Sequence, residues 1–229
     1  MLRSFSMKIL YGLLLVVLSG CFCRPQSDKQ KSEIAGIIPL QQNDQSNKAL
    51  EARYLAPLDS DTMLIYVDGQ RYQVSAMGDV LDRTGGTYFK LESEHPIGLL
   101  YYLQRGQDFF VFYSYDGFEE TYSMAKRISL VTRSVVWSTP VDGAIFSCPV
   151  IHGQFAYVST IGHIGKLILK NGQFDWHFNK LQRDGRYGRF GAINIVGGNK
   201  VQFVSPHPFS LQNDTIVVND ITGEIIRMN

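Results

Sequence analysis

The segment Lys170-Asn171-Gly172-Gln173-Phe174-Asp175-Trp176 is the strongest indicator of the fold, because two other parts of the chain repeat its pattern. Val131–Trp137 matches it, and Ile221–Arg227 matches both with arginine in place of the tryptophan. The three matched ends, at positions 137, 176 and 227, lie 39 and 51 residues apart. Self-similarity at about 40 residues indicates stacked structural repeats.

Each repeat has a β-prone run, a tight turn and a second β-prone run. Gly172 and Gly223 can take the positive φ that such a turn requires. Trp137 and Trp176 follow their turns, where a large flat side chain can fill the wedge between neighbouring sheets. These four residues are therefore the predicted structural marks of the repeat.

Short β-prone runs separated by turn residues continue through most of the chain. Met63–Val67 and Arg71–Val74 flank Asp68-Gly69, which predicts a hairpin. The aromatic share of 12% and the 21 glycines also favour strands and tight turns. We expect an all-β domain at residues 57–229, built as a sandwich, barrel or propeller.

The segment Ser147–Phe178 resembles the repeat of the PQQ-like β-propeller family. The matching residues are Pro149-Val150, Gly153, Tyr157-Val158, Gly165, Asn171-Gly172 and Trp176. The resemblance implies a small or incomplete β-propeller of about four blade-like antiparallel sheets, which either closes or forms an arc that needs a partner at its edges. It does not imply the quinone, and we expect no cofactor.

The N-terminus has the layout of a secretory signal. Arg3 and Lys8 precede the apolar run Ile9–Leu18, and small residues then lead to Cys21. The layout resembles a bacterial lipobox, which predicts a signal peptide at 1–20, a lipid on Cys21 and a polar tether over 21–56. An ordinary cleaved signal is the alternative, and either Met1 or Met7 can be the start.

The position after Cys21 is Phe22. In a Gram-negative host this resembles the sorting pattern for the outer membrane, with the domain facing the periplasm. If Cys21 carries lipid, Cys23 and Cys148 remain and can either pair or stay separate.

Charge and motifs argue against several functions. The net charge of +1 gives no basis for nucleic-acid binding. No catalytic or phosphate-binding motif is present, and we expect no enzyme activity. No histidines share close metal-ligand spacing, and His152, His163 and His207 are predicted to be exposed in or beside turns.

A basic stretch from Lys180 to Phe190 lies where the repeat interval lengthens from 39 to 51 residues. Insertions of this kind often carry binding surfaces, and Arg and Tyr are favoured interface residues. The candidate binding residues are Arg183, Arg186, Tyr187 and Arg189, and a solvated charged loop is the alternative.

Together these features predict a lipid-anchored, non-catalytic protein-binding module at a periplasmic membrane face. The anchor and repeat resemble a shortened member of the propeller lipoproteins that assist outer-membrane protein assembly. Two alternatives stay open. One is an immunity-type lipoprotein that neutralises a toxin, and the other is a small-ligand receptor or enzyme using the propeller channel.

Overall fold

A computed structural model describes residues 50–51, 53–55, 62–117, 121–144, 147–183, 186–205 and 214–228. The described residues form strands and turns without a helix, so none of them belongs to a helix that is long and apolar enough to cross a membrane. The predicted signal peptide, Cys21 and Cys23 lie outside these ranges.

The strands are short and follow one another along the chain. They are β1 (Leu50–Glu51), β2 (Arg53–Leu55), β3 (Thr62–Val67), β4 (Gln70–Ser75), β5 (Asp79–Leu81), β6 (Thr87–Lys90), β7 (Ile97–Arg105), β8 (Asp108–Asp116), β9 (Thr121–Ser129), β10 (Ser134–Val141), β11 (Val150–His152), β12 (Phe155–Thr160), β13 (His163–Ile168), β14 (Phe174–Phe178), β15 (Gln182–Arg183), β16 (Arg186–Tyr187), β17 (Ala192–Val196), β18 (Lys200–Ser205), β19 (Asp214–Asn219) and β20 (Ile225–Met228).

Four groups of consecutive strands form antiparallel meanders, which we call blades 1 to 4. Blade 1 is β3–β6, blade 2 is β7–β10, blade 3 is β11–β14 and blade 4 is β17–β20. The predicted all-β fold of about four blade-like antiparallel sheets is confirmed. The predicted hairpin at Asp68-Gly69 is also present, with φ of 46° and 79° at its two turn residues.

All four blades carry a β-bulge at the same place on their last strand. The pairing shifts by one residue at Tyr88, Val136, Asp175 and Ile226, just after the turn between the third and fourth strands. Blade 1 therefore belongs to the same repeat. Its Thr84-Gly85 matches Thr222-Gly223 of blade 4, although no tryptophan marks the repeat in either blade.

Three hydrophobic clusters join successive blades. One lies between blades 1 and 2, one between blades 2 and 3, and one between blades 3 and 4. The central strands of blade 3 are buried on both faces, whereas those of blades 1 and 4 alternate between buried and more exposed residues. No cluster of described residues joins blade 4 to blade 1, and we call the row of four blades the arc.

The N-terminal strands cross between two blades before the chain enters blade 1. β1 pairs with β11, the first strand of blade 3, and β2 pairs with β7, the first strand of blade 2. Residues 50–55 lie in the range expected to form the polar tether. Backbone pairing to the domain thus begins before residue 57.

Candidate functional site

The interface between blades 2 and 3 is closed at one end by a tryptophan. The ring of Trp137 lies against Gly172 in the turn of the next blade, where an added Cβ would come within 2.6 Å of the ring. Trp137 Nε1 donates a hydrogen bond to Leu169 O over 3.1 Å. Gly172 has a φ of 74°, so the turn needs glycine for its backbone as well as for the close approach.

The same arrangement recurs between blades 3 and 4. Trp176 lies against Gly223, where a Cβ would come within 2.7 Å, and its Nε1 donates to Asp220 O over 3.2 Å. Gly223 also has a positive φ, of 73°. We call each pair a tryptophan–glycine contact. The structure thus places Trp137, Gly172, Trp176 and Gly223 at two successive blade interfaces.

A cation on the neighbouring strand accompanies each tryptophan–glycine contact. Arg127 pairs with Trp137 across its sheet and donates to Lys170 O over 2.9 Å. Lys166 pairs with Trp176 and donates to Asp220 O over 2.7 Å. Both cations therefore bind carbonyl oxygens in the turn of the following blade.

Lys166 is the more buried of these two cations. Its Nζ lies 3.0 Å from Asp175 Oδ2 and 3.2 Å from Asp220 Oδ1. The same group lies 4.0 Å from the centre of the Phe155 ring. Carboxylates, a carbonyl and an aromatic face together compensate the buried charge.

The interface between blades 1 and 2 uses different chemistry. At the position of the turn glycine, blade 2 has Arg133 with a φ of 54°, and its guanidinium lies 4.5 Å from the centre of the Tyr88 ring. Lys126 donates to Leu91 O over 2.6 Å, and burial lowers its pKa. At this interface, a cation over an aromatic ring thus takes the place that the indole over a glycine has at the other two interfaces.

At its opposite end, the interface of blades 2 and 3 is open. Consecutive turns of a meander alternate between the two ends of a sheet. The loops that follow β10 and β12 therefore lie at the end away from the tryptophan–glycine contacts. They border a cleft of about 760 Å³, which we call the inter-blade cleft. Its lining includes Tyr115, Tyr122, Asp142, His163, Asn179 and Tyr187.

Exposed tyrosines stand on both sides of the inter-blade cleft. Tyr122 of blade 2 is 45% exposed, and its ring stacks on Tyr115 with centroids 5.6 Å apart. Tyr187 is 52% exposed, and its ring lies against Gly162 of blade 3, where a Cβ would come within 2.6 Å. Each tyrosine has a rigid support and a face open to solvent.

The predicted basic binding loop is a small hairpin held against blade 3. β15 and β16 pair through Gln182 with Tyr187 and Arg183 with Arg186. Hydrogen bonds from Gly162 N to Gly188 O (2.7 Å) and from Leu181 N to Gly162 O (2.9 Å) fix the hairpin to the loop of blade 3.

The hairpin brings only part of the predicted set into the inter-blade cleft. Tyr187 lines the cleft. Arg189 is exposed and forms a backbone bridge with Ile161. For Arg183 and Arg186 the structure describes the backbone positions on facing strands.

His163 was predicted to be an exposed turn residue, and that prediction is wrong. It begins β13 and is 1% exposed, with its ring centroid 5.4 Å from that of Phe174 and 5.8 Å from that of His177. Neither ring nitrogen has a hydrogen-bond partner, and burial lowers the pKa of His163 to about 4. The sequence placed it beside a glycine, but the sheet buried it.

The inter-blade cleft is suited to binding. A neutral imidazole carries one donor and one acceptor, and the tyrosines supply large rigid surfaces. Among the described residues no group of three or more histidine, cysteine, aspartate or glutamate side chains is placed to hold a metal ion.

Comparison with known proteins finds similarities among solved structures. No family model and no curated protein matches the chain. A solved structure, BamB from Moraxella catarrhalis, is similar at 12% sequence identity and a TM-score of 0.29, covering 80% of this chain and 79% of that chain. The candidate site therefore rests on the residues of this chain.

Proposed function

We propose that the protein is a non-catalytic protein-binding module anchored in the cell envelope, and that it binds its partner at the inter-blade cleft. The observation that carries the proposal is the pair of exposed tyrosines, Tyr122 and Tyr187, on two different structural supports around one cleft. Tyrosine gives a large contact area for few rotatable bonds, and it is enriched at interface hot spots.

The supports matter as much as the tyrosines. Stacking on Tyr115 orders Tyr122, and the hydrogen-bonded hairpin fixes the backbone beside Tyr187. A surface ordered in advance loses less conformational entropy when it binds. Arg189 and Lys180 on the Tyr187 side add positive charge, which favours a partner segment with an acidic residue beside an apolar one.

Partner capture tests this proposal. The full chain, solubilised from envelope with its anchor intact, is used as bait with the double variant Tyr122→Ala, Tyr187→Ala. The control is Val131→Ala, Ile221→Ala, because these apolar residues are 71% and 68% exposed but lie at the opposite end of the blades. We expect at least a tenfold loss of one stoichiometric partner with the tyrosine variant alone.

Equal losses with both variants would contradict binding at the inter-blade cleft.

A small-ligand receptor is the second candidate, favoured by the unpartnered nitrogens of His163 on the cleft wall. A metabolite that raises the melting temperature of the chain but not of His163→Leu, without any captured protein, would replace the first proposal by this one.

The anchor is a separate part of the proposal. The lipobox-like Leu18-Ser19-Gly20-Cys21 supports a lipid on Cys21, and Phe22 after it supports sorting to the outer membrane of a Gram-negative host, with the domain facing the periplasm. Metabolic labelling with palmitate is expected for the native chain and not for Cys21→Ser. Cys23→Ser is the matched control and keeps the label.

A further inference from the structure

The two outer faces of the arc resemble two halves of one interface. At the interfaces between blades 2 and 3 and between blades 3 and 4, the last strand of one blade meets the turn before the last strand of the next. Blade 1 has such a turn without a preceding blade among the described residues. Blade 4 has such a strand without a following blade among them.

The turn of blade 1 resembles the turns that receive tryptophan, although it is one residue shorter. Gly85 has a φ of 82°, as Gly172 and Gly223 have 74° and 73°. Asp82 N donates to Gly86 O over 2.9 Å, as Ile168 N donates to Gln173 O over 2.8 Å in blade 3. Around Gly85, however, no atom lies within 4 Å of an added Cβ.

The last strand of blade 4 carries Arg227 in the register of the two tryptophans. Arg227 pairs with Val217 immediately after the bulge at Ile226, as Trp176 pairs with Lys166 after the bulge at Asp175. A guanidinium is flat and donates hydrogen bonds in its plane, so it can lie on a glycine turn and bind a carbonyl, as an indole does. Arg227 already interacts within its own chain, and its five N–H donors allow further partners.

Charge supports a contact between this arginine and the turn of blade 1. The carboxylate of Asp82 belongs to the same turn as Gly85, where its Oδ1 accepts hydrogen bonds from Thr84 N (2.8 Å) and Gly86 N (3.0 Å). A carboxylate has acceptor sites for an arginine in addition to these bonds. Asp82 occupies the turn position of Ile168 and Asn219, directly before the position whose carbonyl receives the indole N–H in blades 3 and 4, so its charge lies next to that position.

The rest of both faces is mixed in character. Leu64, Tyr66 and Leu81 alternate with the buried residues of blade 1, and Val204 and Val217 alternate with those of blade 4. Residues that alternate along a strand point to opposite faces of the sheet, so these five half-buried residues lie on the faces turned away from the hydrophobic clusters. The faces offer apolar contact around the charged pair.

We propose that the chain binds a second copy of itself head to tail, with Arg227 of one copy on the Asp82–Gly86 turn of the other. The interface is heterologous, because blade 4 of one copy meets blade 1 of the next. Such contacts close into a ring when the rotation permits and otherwise continue as a chain of copies.

Sedimentation of the full chain in detergent micelles tests this, over protein concentrations from about 1 to 100 µM, a range chosen around the affinity of weak to moderate interfaces. We expect reversible association that increases with concentration. Arg227→Glu and Asp82→Arg should each weaken it at least tenfold. The double variant with both substitutions restores the opposite charges and should recover association to within about threefold.

Lys170→Glu is the control, because it makes the same charge change in an exposed turn of blade 3 away from both terminal faces. A chain that stays monomeric at every concentration, or a dimer that neither reversal weakens, would overturn the proposal. Circular dichroism of each variant distinguishes lost folding from lost association. Partner capture at the inter-blade cleft is a separate readout, so either proposal can fail alone.

Discussion

The interface between blades 2 and 3 differs between its two ends. At one end Trp137 lies on Gly172, covers the turn and donates to a backbone carbonyl. At the other end Tyr187 lies on Gly162 in a similar way, but its ring is half exposed and borders a cleft. An aromatic ring packed on a glycine with positive φ thus holds the two blades together at one end, and at the other end it forms part of an open surface.

The difference comes from the structural element that carries each aromatic residue. The tryptophan belongs to a strand of the repeat, so the next blade must pack on it. The tyrosine belongs to an inserted hairpin, which lies outside the meander and has no blade to cover it. Four stability measurements test this contrast.

Removing the tryptophan of the second contact should have the largest effect. Trp176→Ala is expected to lower the free energy of unfolding by about 3 to 5 kcal/mol, because it opens a cavity between blades 3 and 4. Trp176→Phe keeps most of the ring but loses the bond to Asp220 O, so we expect about 1 to 2 kcal/mol. Urea denaturation followed by circular dichroism measures both, and equal losses would show that the hydrogen bond dominates.

Adding a methyl group to the turn glycine should be next in size. Gly172→Ala combines a positive φ with a clash against the Trp137 ring, and we expect a loss of about 2 to 4 kcal/mol. Gly153→Ala is the matched control, since its φ is 58° but no atom lies within 4 Å of its added Cβ. The control should lose about 1 to 2 kcal/mol. A control as damaging as Gly172→Ala would refute the close-packing argument.

Acid should lower the free energy of unfolding through His163, which lies at the cleft end. Its pKa is about 4 in the folded chain against an ordinary 6.5, so the unfolded chain takes up the proton first as pH falls. The stability from this group is present above pH 6.5 and is lost towards pH 4, with about 2 kcal/mol lost between pH 7 and 5.

His163→Leu should remove this pH dependence and leave stability at pH 7 unchanged or higher, because it deletes two unpartnered buried nitrogens. His152→Leu, at the end of β11 and at the other end of blade 3, keeps the dependence. The slope of the unfolding free energy against pH is measured for all three proteins. A slope that persists in His163→Leu would exclude His163 as the source of the pH dependence.

The cleft tyrosines should matter least for stability. Tyr122→Ala and Tyr187→Ala are each expected to cost about 1 kcal/mol or less, because half-exposed side chains lose little burial. A loss comparable to that of Trp176→Ala would mean that the tyrosines hold the blades together, and the contrast between the two ends would disappear.

Sequence reasoning was most successful where structure is local. The predicted runs Met63–Val67 and Arg71–Val74 lie within strands β3 and β4, because the Asp68-Gly69 turn fixes where one strand ends and the next begins. The strands β5 and β17 were not predicted, although Gly78 and Gly191 stand directly before them. A glycine alone does not mark a strand when the run after it has three residues, as in β5, or follows an inserted hairpin, as in β17.

The candidate site was predicted in part. The basic stretch that lengthens the repeat was recognised as a candidate surface, and its Tyr187 does line the inter-blade cleft. Tyr122 and His163 were not recognised, because they belong to ordinary strands and become neighbours of Tyr187 only when blades 2 and 3 pack. A histidine next to a glycine has no local feature that distinguishes a buried position from an exposed one.

The strand–turn–strand unit, its repetition and the residues that mark it can be established from the sequence alone, since backbone conformation and period are properties of neighbouring residues. Two features required the folded chain: no hydrophobic cluster of described residues joins blade 4 to blade 1, and one end of an interface forms a cleft. Those features depend on how sheets distant in the chain pack, and packing responds to the shapes of all the contacting side chains together.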